Sequence, residues 1–221
     1  MTKQGKIFMA IGLLLLAAAL CLTAYNLWSD AMASMAAEVR LEALRPEIPT
    51  VEAQNEAQDA AQPMRETALE EIPDYLLSPQ MDMPVKTVDG TDYIGILQIP
   101  ALELELPVIS TWNYPNLRLA PCRYAGSAYQ HNLVISGHNY SGHFRDLKKL
   151  QPGDAVTFTD TDGNVFSYTV LGLETLSPGA VEQMTSGDWD LTLFTCTVGG
   201  QNRIAVRCEA EDALPARYAG E

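Results

Sequence analysis

The stretch "LTLFTCTVGGQNRIAVRC", residues 191–208, decides the fold. Leu191, Leu193 and Thr195 alternate with Thr192, Phe194 and Cys196, and Ile204, Val206 and Cys208 alternate with Arg203, Ala205 and Arg207. Period-two alternation in apolar and β-branched residues predicts two strands. Between them, "TVGGQN" carries Gly199-Gly200, and glycine accepts the positive φ that tight hairpin loops require. The two strands are therefore expected to be antiparallel neighbours. Cys196 ends the first on the face of Thr192 and Phe194, and Arg203 opens the second beside it.

Working outward, the same signals recur. "YIGILQI" (93–99) reads as a strand, and "LELELPVI" (102–109) alternates leucine with glutamate. "NLVIS" (132–136) is a short apolar strand. "AVTFTD" and "VFSYTVLGLETL" flank "TDGN" (161–164), a hairpin signal. "HFRDLKKL" (143–150) spaces Phe144, Leu147 and Leu150 three apart before Pro152-Gly153, which predicts one short helix. Seven or eight short strands without β–α alternation predict a mostly β domain, a largely antiparallel barrel or sandwich.

The N-terminal third is different. Ile7 to Ser29 is 23 residues without a charge, roughly 34 Å of helix against a hydrocarbon core of ~30 Å. Lys3 and Lys6 precede it and Asp30 follows. The positive-inside rule then keeps residues 1–6 in the cytoplasm and exports the rest. A cleaved signal peptide is the rival reading, with "AMAS" (31–34) as its small-residue site. Residues 30–80 read as an acidic stalk, helical at first with Met32, Met35, Val39 and Leu44 near helical spacing. Pro46 and Pro49 stop that helix, and the Glu, Gln, Ala and Pro of 46–70 read as disordered. An arm from Ile72 to Val88 leads into the domain, placed at 81–221. With 28 Asp and Glu against 14 Lys and Arg, the chain lacks the basic face that nucleic acid demands.

Four cysteines are present, and Cys21 lies inside the apolar segment. Of Cys122, Cys196 and Cys208, Cys196 is the candidate nucleophile; the alternative is a buried structural thiol. A neighbouring Arg203 favours a thiolate and can donate hydrogen bonds to an oxyanion; the alternative is a solvated strand-end charge. A thiol nucleophile needs a proton acceptor that later protonates the leaving amine. His131 sits in the polar turn "YQHN", and His143 caps the short helix or stays solvated. His138 follows an apolar strand and a glycine in "LVISGHNY", which holds an imidazole at a strand mouth, so His138 is the expected base. Cys122, Cys196, His138 and His143 show no CxxC or HxxxH spacing, so neither metal nor other cofactor is expected.

"LVISGHNY" followed about sixty residues later by "LTLFTCTVGGQNR" resembles the sortase family, the cysteine transpeptidases of Gram-positive cell surfaces. Thr192 to Cys196 is similar to the family's Thr-Leu-x-Thr-Cys motif, His138 to its Gly-His, and Arg203 to its arginine on the next strand. The resemblance spans about residues 90–210 and implies a closed eight-stranded sortase β-barrel. It also implies that Cys196 attacks a carbonyl in the C-terminal sorting signal of a secreted protein. His138 protonates the leaving peptide, and Arg203 steadies the oxyanion or substrate backbone. An amine of a cell-wall precursor or a pilin lysine then resolves the thioacyl enzyme. Thr195, inside the motif, is counted as substrate-binding. The loop "SPGAVEQMTSGDWD" (177–190) falls where the family often reads its substrate, and no Asp-Pro-aromatic lid motif appears in the stalk. The remaining exported thiols, Cys122 and Cys208, are expected either to form a disulfide or to stay as two buried thiols. The competing functions are another exported cysteine peptidase and an inactive surface-binding barrel. An L,D-transpeptidase would need a close His-Gly-Cys, which is absent.

Overall fold

The computed structural model describes residues 3–49 and 73–211. Nine strands follow in chain order: β1 (Lys86–Val88), β2 (Thr91–Ile99), β3 (Leu104–Ile109), β4 (Cys122–Ala125), β5 (Leu133–Ser136), β6 (Ala155–Asp160), β7 (Val165–Leu176), β8 (Leu191–Cys196) and β9 (Arg203–Ala210). Their order is β1-β2-β3-β4-β5-β8-β9-β7-β6, and β2 also pairs with β6. That last pairing closes strands β2 to β9 into an eight-stranded barrel, with β1 a short addition against the start of β2. Closure leaves the eight strands without a long open edge.

Closure depends on Gly95. It sits at a register shift in β2, at φ +154°, and a Cβ there would lie 2.0 Å from the carbonyl oxygen of Thr159 on β6. Only glycine lets the two backbones approach so closely. Inside the barrel, Ile94, Leu97, Ile135, Phe158, Leu191, Leu193 and Val206 are buried in one core. The hairpin β8–β9 is antiparallel as expected, from Leu191 opposite Cys208 to Cys196 opposite Arg203. The β6–β7 hairpin also forms where "TDGN" places it.

Two pairings are parallel: β3 with β4 through Ile109 and Cys122, and β5 with β8 from Leu133·Leu191 to Ser136·Phe194. The expected strand 102–109 begins only at Leu104, because Pro100–Leu102 is a 3-10 turn and Glu103 adopts φ 51°. The expected helix 143–150 is a 3-10 segment, Arg145–Lys149, which buries Leu147.

No disulfide, the first of the two alternatives, joins Cys122 to Cys208. Cys122 and Cys208 are both free and buried. They lie on β4 and β9, with β5 and β8 between them, about three strand spacings of ~4.8 Å around the wall. That is beyond the ~7 Å limit for bridging two Cα atoms. Burial pushes each thiol up to about 12, so both are protonated, inert packing groups.

The N-terminal segment forms one helix, α1 (Lys3–Leu44). Among the described residues it is the one helix long and apolar enough to cross a membrane. Its first part exposes Phe8, Leu14, Leu20 and Trp28. Its last turns, expected only as a helical continuation of the apolar segment, dock on the barrel. Met32, Met35 and Val39 are exposed, whereas Ala33, Ala37, Leu41 and Leu44 are buried. The small residues win because they let two backbones approach, and Leu41 and Leu44 then fill the space beside Tyr93, Ile96 and Ile109. Burying a leucine side chain is worth roughly 1.5–3 kcal/mol. Residues 30–44 are therefore a docked part of the fold, while residues 50–72 of the expected stalk lie outside the described residues. The arm beyond them packs too, with Tyr75 stacked on Tyr129 at 4.7 Å between ring centroids.

Candidate active site

Cys196, His138 and Arg203 arrive at one mouth of the barrel by strand register. Cys196 ends β8 directly opposite Arg203 on β9. Thr197 N–H donates to the Asn202 carbonyl at 2.9 Å, so residues 197 and 202 form a hydrogen-bonded pair. Residues 196 and 203 then form the non-hydrogen-bonded kind, in which Cα atoms are only ~4.5 Å apart. On the other side of β8, the parallel register Ser136·Phe194 continues past the strand end. Gly137 N–H donates to the Phe194 carbonyl at 3.0 Å. His138, two residues beyond Ser136, thus lies level with Cys196, two beyond Phe194.

The two faces of β8 do different work. Leu191 and Leu193 point into the barrel core. Thr192, Phe194 and Cys196 point outward, where Phe194 packs with Val134, Met184 and Ala205. Arg203, Ala205 and Arg207 share that outer face, and Arg207 Nη1 donates to Thr192 Oγ1 at 3.0 Å. Thr195 takes the inward face: it is 3% exposed and its Oγ1 has no hydrogen-bond partner. It therefore faces the barrel wall on the side of β8 opposite Cys196, as the alternation predicts.

Each candidate has a distinct environment. Cys196 is half-buried. His138 is half-buried too, and its Nε2 is buried without a hydrogen-bond partner. Burial, with the positive charge of Arg118, holds its pKa below the ordinary histidine value, so the imidazole is neutral at pH 7. Arg203 Nη1 donates to the carbonyls of Gly200 and Asn202, both at 3.1 Å, which folds the guanidinium over the β8–β9 turn. His131 pairs at the surface with Asp190 at 3.2 Å. His143, expected to cap the short helix or stay solvated, is 1% exposed and so is not solvated. Burial lowers its pKa to about 4. Among the described residues no three His, Cys, Asp or Glu side chains gather as metal ligands.

Sequence reasoning missed Arg207. It is 3% exposed and reaches under the loop 177–190. Its Nη2 donates to the Gln183 carbonyl at 2.6 Å and its Nη1 to the Met184 carbonyl at 3.3 Å. Both Nε and Nη2 donate to Glu174 Oε2, and Trp189 lies 5.8 Å from the guanidinium. The alternation "RIAVRC" put Arg207 on the groove face, and that was the one signal available.

Residues 97–211, just over half of the chain, match the family model described as the sortase domain. A curated relative, sortase A of Bacillus anthracis, is 29% identical over 116 residues, covering 50% of this chain and 55% of the relative. The chain thus aligns with little more than half the length of that relative. Among solved structures, sortase C1 of Streptococcus suis is 23% identical with a TM-score of 0.48, covering 57% of this chain and 76% of that one. A Clostridium perfringens sortase D5 transpeptidase is 23% identical with a TM-score of 0.49, covering 57% and 82%.

Proposed function

The chain belongs to the sortase family, and from that premise we propose that it is an exported cysteine transpeptidase with Cys196 as nucleophile, His138 as proton carrier and Arg203 as anion stabiliser. The observation that carries this reading is the register: Cys196 opposite Arg203 on β9, and His138 level with Cys196 beyond the end of β5. A neutral imidazole is the form that can accept the thiol proton. Cys196 Sγ then attacks the carbonyl carbon of a sorting-signal peptide, and the developing oxyanion is met by the guanidinium of Arg203, whose Nε and Nη2 add donors to the two bonds made by Nη1. The C–N bond breaks, and the imidazolium of His138 gives its proton to the leaving amine. A thioester remains on Cys196. An incoming amine attacks it, His138 takes the amine's proton, and the thiolate leaves and is reprotonated. Water in place of the amine gives hydrolysis.

The substrates in this reading are secreted proteins with a C-terminal sorting signal, and the acceptor is an amine of a cell-wall precursor or a pilin lysine. Helix α1 anchors the chain in the cell membrane through residues 7–29, with Lys3 and Lys6 on the cytoplasmic side and the barrel outside. Phe194, Met184 and Ala205 pack as a buried apolar layer behind Cys196, and the peptide is proposed to approach the thiol beside the loop held by Arg207. A peptide library incubated with the full chain, with and without an added amine, tests this. Cleavage that depends on Cys196 and switches to amide formation with the amine supports transfer. Cleavage insensitive to amine reduces the function to a peptidase, and absence of any Cys196-dependent product rejects the enzyme.

A further inference from the structure

The loop that carries His138 is held from two sides. On the barrel side, Gly137 N–H is bonded to the Phe194 carbonyl, and Phe144 N–H to the His138 carbonyl, both at 3.0 Å. On the other side stands α1. The carboxylate of Asp30 accepts from Ser141 N–H, from Ser141 Oγ and from Arg145 Nη2, each at 2.8 Å. One turn later Ser34 Oγ lies 3.4 Å from Ser141 Oγ. At Gly142 the contact is so close that a Cβ would come 2.4 Å from Ser34 Oγ and 2.7 Å from Ser34 Cα. Tyr140, between these anchors, lies 4.8 Å from the His138 ring and 5.6 Å from the His143 ring, centroid to centroid.

Asp30 is 15% exposed at its side chain. Burial works against its charge, yet the Ser141 bonds and Arg145 outweigh burial and hold its carboxyl below the usual range. A charged acceptor with three donors is a strong tie, and it lies one residue beyond the uncharged segment Ile7 to Ser29.

We propose that Asp30 is a positioning residue: by gripping Ser141 and Arg145 it fixes the His138 imidazole at the mouth of Cys196, so that the membrane-spanning helix and the reaction centre form one unit. Asp30 touches neither substrate nor thiol and acts through the loop. The consequence is spatial. With residues 7–29 in the bilayer, the mouth sits at the membrane surface and not at the end of a free tether. This rests on the catalytic reading for its effect on turnover, but the placement of His138 is testable without turnover.

The experiment uses the full chain in micelles with Asp30→Ala, Asp30→Asn and, as control, Arg45→Ala, which removes a different ion pair to the barrel, Arg45–Glu105 at 2.7 Å, made from the turn just after α1. Hydrogen exchange at the Ser141 amide and the titration midpoint of His138 are read by NMR. The groups facing His138 are Arg118, Tyr140 and His143, with Asp30 and Arg145 behind the loop and Cys196 and Arg203 at the mouth. In Asp30→Ala, exchange at Ser141 rises at least tenfold and the His138 midpoint moves up toward that of a free histidine. Asp30→Asn, which keeps one acceptor oxygen, falls between, and Arg45→Ala leaves both readouts as in the parent. Where turnover is present, Asp30→Ala lowers kcat about tenfold and leaves KM for a soluble amine within twofold. Unchanged exchange and midpoint in Asp30→Ala overturn the proposal, as does an unchanged kcat. A parent chain with no Cys196-dependent product rejects the catalytic reading alone, and the two NMR readouts then decide the placement.

Discussion

Cys196 and Arg203 face each other as the last non-hydrogen-bonded pair before the β8–β9 turn. Side chains in such pairs are the closest across an antiparallel ladder, so sulfur and guanidinium share one outer face by register alone. The guanidinium also braces the turn through the carbonyls of Gly200 and Asn202. A rotation about side-chain bonds brings its free donors over the mouth without moving either strand.

Arg203→Ala is therefore expected to lower kcat/KM by about 100- to 1,000-fold, the usual cost of losing an oxyanion donor. Arg203→Lys recovers little, since an ammonium cannot reproduce the planar fork. The fold survives, because the residue is half-buried at a strand end. Steady-state kinetics beside a thermal melt separate the two effects.

With His138 as the proposed proton carrier, the acid limb of the pH–rate profile is expected to follow its imidazole. Burial first, then Arg118, holds its pKa below the ordinary value, so kcat/KM falls only as pH drops through a midpoint below ~6.5. Arg118→Ala removes a cation that disfavours the imidazolium. The His138 value rises, and the acid limb moves to higher pH. A limb that stays in place removes Arg118 from the account.

His143 makes the fold acid-labile. Its folded value is about 4, against ~6.5 when unfolded. Between these values the unfolded chain binds more protons, so stability falls as pH drops from about 6.5 toward 4, by roughly 3 kcal/mol in all. His143→Leu removes this titrating group from the core and keeps an apolar side chain in its place. Denaturant melts at pH 7 and pH 5 check this: the variant loses most of the difference that the parent shows.

Arg207 holds the loop 177–190 through the carbonyls of Gln183 and Met184 and through Thr192 and Glu174. Arg207→Met orphans these acceptors and costs roughly 2–3 kcal/mol. In the proposed reading, where the loop 177–190 contacts the peptide, the variant is expected to raise KM for the peptide more than it lowers kcat. A drop in kcat alone contradicts that role.

The hairpin that opens the sequence reading formed as written, because its pattern is local: alternation, two glycines, alternation. The choice of His138 was legible in its place after an apolar strand and a glycine, but its level with Cys196 depends on the parallel pairing of β5 with β8, which no local pattern encodes. The helical spacing of residues 30–44 was legible, but the docking of that helix on the barrel was not. Met32, Met35 and Val39 are larger than Ala33 and Ala37, yet the small residues are buried because close approach of backbones demands them. Gly142 carries the same lesson, since its role appears only against Ser34 of another element. The disulfide was proposed by elimination among exported thiols, and the strand order, which sets the distance, lay beyond sequence.

The most direct test of the central claim is the intact mass of the full chain after brief incubation with a cleaved peptide in the absence of amine. A transient adduct equal to the N-terminal acyl fragment, mapped to Cys196 and discharged by added amine, is the predicted result. Cleavage that persists in Cys196→Ala, or an adduct found on Cys122 or Cys208 instead, contradicts it.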